Sequence, residues 1–204
     1  MKQAAAWDFD ILLNNAGVGE GGPIAEIPLD LVRKNFETNV FAPLALTQLV
    51  VKKWVAAKTP GKIVFTSSMG GLFSPPGFAA YAATKHAIEA IAEAMQGELK
   101  PFGIQVQTIN PGAYLTGFNE GMAANAFRWL DDAVNFTKRD AMRKIVADLI
   151  GNAEGRLDPS EMIAKMVEVV PAREGNFRNV FPTFIEEALK KHQTEMFALR
   201  IEEE

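Results

Sequence analysis

Ser68, Tyr81 and Lys85 carry a hydroxyl, a phenol and an amine at a spacing suited to proton-coupled chemistry on a carbonyl. Tyr81 and Lys85 are four residues apart in a stretch with few helix breakers, residues 81–100, and that spacing stacks two side chains on one helix face. Ser68 stands thirteen residues before Tyr81, at the end of the strand-like run 62–67. Open α/β sheets gather their functional residues at such strand ends. Bringing a phenol from its ordinary pKa near ~10 to about 7 takes roughly 4 kcal/mol of preference for the phenolate, and the Lys85 ammonium, one helical turn away, is placed to provide it.

The elements that must position these groups follow from hydrophobic periodicity. Residues 9–13, ending in Asn14-Asn15-Ala16-Gly17, read as a buried parallel strand entering a turn. Over 29–58 the apolar positions Leu31, Val32, Phe36, Val40, Leu44, Leu49 and Val50 recur at helical spacing, and Pro43 predicts a bend. The strand 62–67 follows a Thr-Pro-Gly turn, and a loop rich in Gly and Pro leads to a second long helix over 78–102, stopped by Gly103. Residues 104–109 form a β-branched strand, turned at Asn110-Pro111-Gly112. Strand and helix in alternation predict an α/β fold with a parallel sheet.

Beyond Gly117 the chain is mostly helical. Its large apolar residues, among them Phe118, Met122, Trp129 and Phe136, form either a core or a pocket lid. Asp158-Pro159-Ser160-Glu161 is a capping box opening a helix to about Val170. A last strand over 176–181, a terminal helix over 182–199 and a frayed tail at 202–204 complete the expectation.

The 204 residues, 48% hydrophobic and 23% charged, suit a single domain over 1–204 with an ordinary core. A net charge of -4 with both signs interspersed offers nucleic acid no basic stripe. No run is expected to approach a membrane span, and the N-terminus is too poor in apolar residues for a signal peptide, so neither nucleic acid nor membrane is expected as a partner. The absence of cysteine removes thiolate chemistry and Cys-ligated zinc, and two histidines, His86 and His192, make a His-based metal site an unexpected one. The expectation is a cytoplasmic protein with a small-molecule ligand and no metal.

Taken in order, Asn14-Asn15-Ala16-Gly17, Ser68, Tyr81-x-x-x-Lys85 and Pro111-Gly112 resemble the short-chain dehydrogenase/reductase family, over nearly the whole chain. The resemblance implies a Rossmann-like, doubly wound parallel sheet and an NAD(P)-dependent oxidoreductase that interconverts an alcohol and a carbonyl by hydride transfer. It implies Tyr81 as acid/base, Lys85 as its activator and a binder of the nicotinamide ribose, and Ser68 as stabiliser of the substrate oxygen. Asn39 would hold a water in the proton relay. By the same resemblance Asn14, Ala16 and Gly17 pass the adenosine side of the NAD(P)(H) cofactor, and Pro111, Gly112 and Thr116 embrace its nicotinamide end. Thr116 also reads as a plain helix cap. The two long helices are surfaces with which family members dimerise, so a homodimer or homotetramer is expected. Segment 117–170 would supply lid helices, and its apolar character suits a hydrophobic alcohol or ketone.

In this family a glycine-rich fingerprint lies well upstream of the Asn-Asn-Ala-Gly turn, and here only about a dozen residues precede that turn. The expected fold is therefore N-terminally truncated, with the first strands and helices absent. The residue that selects NAD or NADP has no counterpart, and the strand at 10–13 becomes an edge. Gly17-Val-Gly19-Glu-Gly-Gly22 matches G-x-G-x-x-G, but Pro23 and Pro28 delay any helix to about Leu29, so no helix N-terminus opens to receive a pyrophosphate. Two other readings stand beside the main one. One is a catalytically silent fragment that only oligomerises or binds partners, and the other is dehydration or epimerisation with a tightly held cofactor.

Overall fold

The computed structural model describes residues 8–150 and 157–201; the expected frayed tail, and residues 151–156 of the expected lid segment, lie outside them. Four parallel strands form one sheet in the order β1 (Ile11–Asn14), β2 (Lys62–Thr66), β3 (Gln105–Pro111) and β4 (Arg178–Phe181). Alternation along β2 sets the layers. Ile63 and Phe65 face one core with Val50, Trp54 and Ile88, whereas Val64 faces another with Ile109, Met162 and Phe181. Those cores place helices α2 (Ala42–Ala57) and α3 (Ala79–Leu99) on one face and α6 (Pro159–Val169) on the other, the doubly wound arrangement. Among the described residues β1 pairs only with β2, and Leu13 is 38% exposed there.

The helical run 29–57 comprises α1 (Leu29–Phe36), a widened π turn (Glu37–Phe41) and α2. Pro43 explains the widening. It has no N–H for the carbonyl of Asn39, four residues back, and its ring crowds that carbonyl, so the turn just before it takes in an extra residue. Trp54, 1% exposed, anchors α2 by donating its indole N–H to the Phe9 carbonyl at 2.8 Å. By length and composition Leu29–Ala57 is apolar enough to cross a membrane, which corrects the expectation that no run would be. Burial of Val40, Val50 and Trp54 in the sheet core accounts for part of that apolar content, while Leu29, Phe41 and Leu49 stay exposed.

Helix α3 continues as a short 3-10 turn (Lys100–Phe102) and ends at Gly103, whose φ of 70° suits glycine. Gly97 lies exposed near the end of α3, where an added Cβ meets nothing within 4 Å. Gly97→Ala is therefore expected to stabilise the fold by about 0.5–1 kcal/mol, read as a higher urea midpoint. A lower midpoint would mean that this turn of α3 is not helical.

Strand β3 runs two residues beyond its expected end, into the expected turn, because β4 holds Asn110 and Pro111 extended opposite Val180 and Phe181. Helices α4 (Phe118–Trp129) and α5 (Arg139–Ile150) pack together through Ala126, Leu130 and Met142. Within the expected apolar cluster Met122 packs on Phe78, whereas Val134 and Phe136 project into solvent. The Asp158 carboxylate accepts the Ser160 N–H at 2.8 Å to cap α6, and α7 (Phe184–Ala198) closes the described chain.

Candidate active site

The parallel strands bring the C-terminal ends of β1, β2 and β3 to one end of the sheet, and the chemistry-bearing residues collect there. Ser68 follows β2 directly. Its hydroxyl accepts the Gly70 N–H at 3.0 Å, opening a 3-10 turn (Met69–Gly71), and with the Tyr81 ring from the start of α3 it borders Gly70, where an added Cβ would stand 3.5 Å from the Ser68 hydroxyl and 3.6 Å from the Tyr81 ring. Lys85, one turn along α3, donates to the Thr66 carbonyl at 2.7 Å, and its Nζ lies 5.6 Å from the centre of the Tyr81 ring. These three side chains line a cleft of 510 Å³. Neighbouring Ser67 is buried, and an added Cβ at Gly71 would come within 2.6 Å of its hydroxyl, so of the two serines Ser68 is the one turned to Tyr81.

Burial governs the protonation of this pair. It pushes the Tyr81 phenol up to about 12, with the Ser68 hydroxyl pulling the other way. It pulls the Lys85 ammonium down to about 8, against the Glu89 carboxylate one turn farther along α3. The expected lowering of Tyr81 by Lys85 is not found. The ammonium is engaged by the Thr66 carbonyl, and desolvation of the phenolate outweighs its field.

Asn39, 3% exposed, has its side chain fully engaged within the protein. Its amide N–H groups reach the Val18 carbonyl at 2.8 Å and the Thr84 hydroxyl at 3.0 Å, and its oxygen accepts the Val18 N–H at 2.8 Å. It thereby clamps the loop after β1 from both sides.

The other expected residues divide. Ala16, Gly17, Pro111, Gly112 and Thr116 line the cleft; Asn14 does not, because its amide is turned to the Thr47 hydroxyl at 3.0 Å on α2. Asn15 lines the cleft instead, its side-chain oxygen accepting from the Thr66 hydroxyl at 2.9 Å. Thr116 also acts at the start of α4, where its hydroxyl accepts the Phe118 N–H at 3.4 Å. His86 is exposed on α3, its Nδ1 3.0 Å from the Ala82 carbonyl.

Three positioning residues escaped the sequence reading. Asn110 donates to the Ser68 carbonyl at 3.0 Å and to Glu89 at 2.6 Å, and Arg178 of β4 donates to the other Glu89 oxygen at 2.9 Å. This network ties the Ser68 backbone to β3, α3 and β4. Glu89 was within reach of sequence reasoning, since it lies four residues beyond Lys85 on the same helical face.

The cleft fits the nicotinamide end of a dinucleotide. The small residues Ala16, Gly17 and Gly112 line it together with Lys85 and the larger Tyr114, Phe118 and Met162, and an added Cβ at Gly17 would stand 3.3 Å from the Asn39 oxygen and 3.8 Å from Lys85 Nζ. The loop 17–28 offers no pyrophosphate seat, since no helix begins within it and Gly19, Gly21 and Gly22 are covered by α4.

The sequence profile of the short chain dehydrogenases matches residues 2–126. The chain is 34% identical over 162 residues to the uncharacterized oxidoreductase YusZ of Bacillus subtilis, covering 76% of this chain and 54% of that protein. It is 40% identical over 113 residues to the NADPH-dependent 3-dehydrocapnine reductase of Ornithobacterium rhinotracheale, covering 53% and 39%. A crystal structure of a short-chain dehydrogenase from Streptomyces avermitilis superposes with a TM-score of 0.72 at 29% identity, over 93% of this chain and 66% of that one. The chain thus spans about half the length of the first of these relatives. Because the profile matches residues 2–126, more than half of the chain, and the fold superposes on that of a short-chain dehydrogenase, the chain belongs to the short chain dehydrogenase family.

Proposed function

We propose that this chain takes part in the NAD(P)-dependent interconversion of an alcohol and a carbonyl. The observation that carries the reading is that Ser68, Tyr81 and Lys85 line one open cleft, with the Lys85 ammonium 5.6 Å from the centre of the Tyr81 ring. When bound, the nicotinamide supplies the hydride to a carbonyl or takes it from an alcohol. Ala16, Gly17, Lys85, Pro111, Gly112 and Thr116 are the residues that would hold it, and a relative named for NADPH dependence supports that cofactor class.

Ser68 donates a hydrogen bond to the substrate oxygen, where negative charge develops. Tyr81 passes its proton to that oxygen in reduction and takes one from the hydroxyl in oxidation. A phenol pushed up to about 12 is protonated at neutral pH, which is the form that donates in reduction. Asn39 serves by fixing the loop at Val18 with its side chain, which leaves its backbone carbonyl as the group able to hold a relay water. The exposed apolar residues Leu29, Phe41 and Leu49 along α1 and α2 support a homo-oligomer.

The test is a titration of the chain with NADPH and NADH, followed by cofactor emission and melting temperature. Saturable binding with a raised melting temperature is expected. A folded sample that binds neither would favour the silent interaction module, and turnover without net cofactor oxidation would favour dehydration or epimerisation.

A further inference from the structure

A second cavity opens behind the catalytic wall. The loop 68–78 supplies Met69, Phe73 and Phe78 to it, α4 supplies Met122 and α5 supplies Leu149. Its 80 Å³ has room for a body of about six heavy atoms. None of the described residues lining it carries a charge; Lys85, which stands beside Tyr81, lines the neighbouring cleft and is held by the Thr66 carbonyl. Four residues, Ser68, Tyr81, Gly112 and Asn119, line both spaces, so a carbonyl bonded to Ser68 and Tyr81 would lie at their junction with its body in the apolar cavity. Besides the two hydroxyls of the reaction, Asn119 is the one polar side chain on the cavity wall among the described residues. It is half-buried, and its amide makes no hydrogen bond with any described residue.

We infer that the substrate is an uncharged carbonyl compound or its alcohol, with a compact apolar body and a second hydrogen-bonding group recognised by Asn119. This rests on the alcohol–carbonyl reading above. A carboxylate entering such a cavity would lose its hydration with no cation to replace it, whereas an ester or amide oxygen loses little and gains the Asn119 N–H. The amide is also poised to accept from a hydroxyl, so a donor and an acceptor at the second group belong to the same class.

The test uses three probes with the intact chain: ethyl levulinate, levulinate and 2-heptanone, each measured by calorimetry with and without NADPH, and by NADPH oxidation. Ethyl levulinate is expected to bind about tenfold or more tightly than levulinate, and several-fold more tightly than 2-heptanone. Asn119→Leu, which keeps the volume and removes the amide, is expected to abolish the ester's advantage over 2-heptanone. Levulinate binding as well as its ester, no binding of either uncharged probe, or an equal loss for ester and ketone in Asn119→Leu would each overturn the assignment. The two readings fail differently. The expected order of binding with no NADPH oxidation would remove the redox chemistry and keep the cavity's selectivity, whereas NADPH oxidation with levulinate preferred would do the reverse.

Discussion

Tyr81→Phe is expected to lower turnover by about 10²–10⁴-fold while leaving the fold in place. The change removes one hydroxyl, and the ring keeps its place against Phe118, whose centre lies 5.4 Å away. The variant buries one polar oxygen fewer, so the melting temperature should move little. Initial rates of NADPH oxidation with an uncharged ketone, set beside the melting curve of the same sample, decide the matter. Retained activity in a folded variant would rule out Tyr81 as the proton donor. The native pH profile adds a second check. Lys85, pulled down to about 8, is charged below that value and neutral above it, whereas Tyr81, at about 12, keeps its proton throughout. The rate of reduction should therefore fall as pH rises through about 8, and a profile flat across that value would detach the Lys85 charge from the rate.

How far this site could be read without coordinates depends on how local each relation is. Tyr81 and Lys85 share a helix face and Ser68 ends the strand before it, so spacing alone placed them at one strand end. The proton affinity of Tyr81 was misjudged because it depends on burial and on Lys85 turning to the Thr66 carbonyl, neither of which spacing encodes. Asn39 was found by its position, but its clamp on Val18 joins residues 21 apart, and the Arg178 bond to Glu89 spans 89. Asn14 and Asn15 are adjacent, and only the pairing of β1 with β2 decides which of them faces the cleft. The widened turn before Pro43 was legible as a bend, since a missing N–H is a property of the residue itself.

Gly22→Ala is expected to destabilise the protein by about 2–4 kcal/mol, the sum of backbone strain and overpacking. Gly22 has a φ of 132°, where side chains are rarely tolerated, and an added Cβ would stand 2.2 Å from the Trp129 ring. The ring has little room to yield, because Trp129 ends α4 beside the packed Leu130 and Met142. Its neighbours share the constraint. An added Cβ at Gly19 would stand 2.6 Å from the Met122 sulfur, the Gly19 carbonyl accepts from Asn125 at 3.0 Å, and the Glu26 carboxylate takes the N–H groups of Phe136 and Thr137. The loop whose glycines imitate a dinucleotide fingerprint is thus a seat for α4, and close approach of a helix, not of a phosphate, explains its composition. Since Met122 lines the apolar cavity whereas Lys85 and Gly17 line the cleft, the variant should weaken ketone binding more than NADPH binding. Gly121→Ala is the control. It lies on α4 itself, where an added Cβ meets nothing within 4 Å, so it should leave both affinities near those of the parent. If Gly22→Ala melts with the parent, α4 does not rest on this loop; if it melts early but loses ketone and NADPH binding equally, the loop supports the whole site and has no particular part in the cavity.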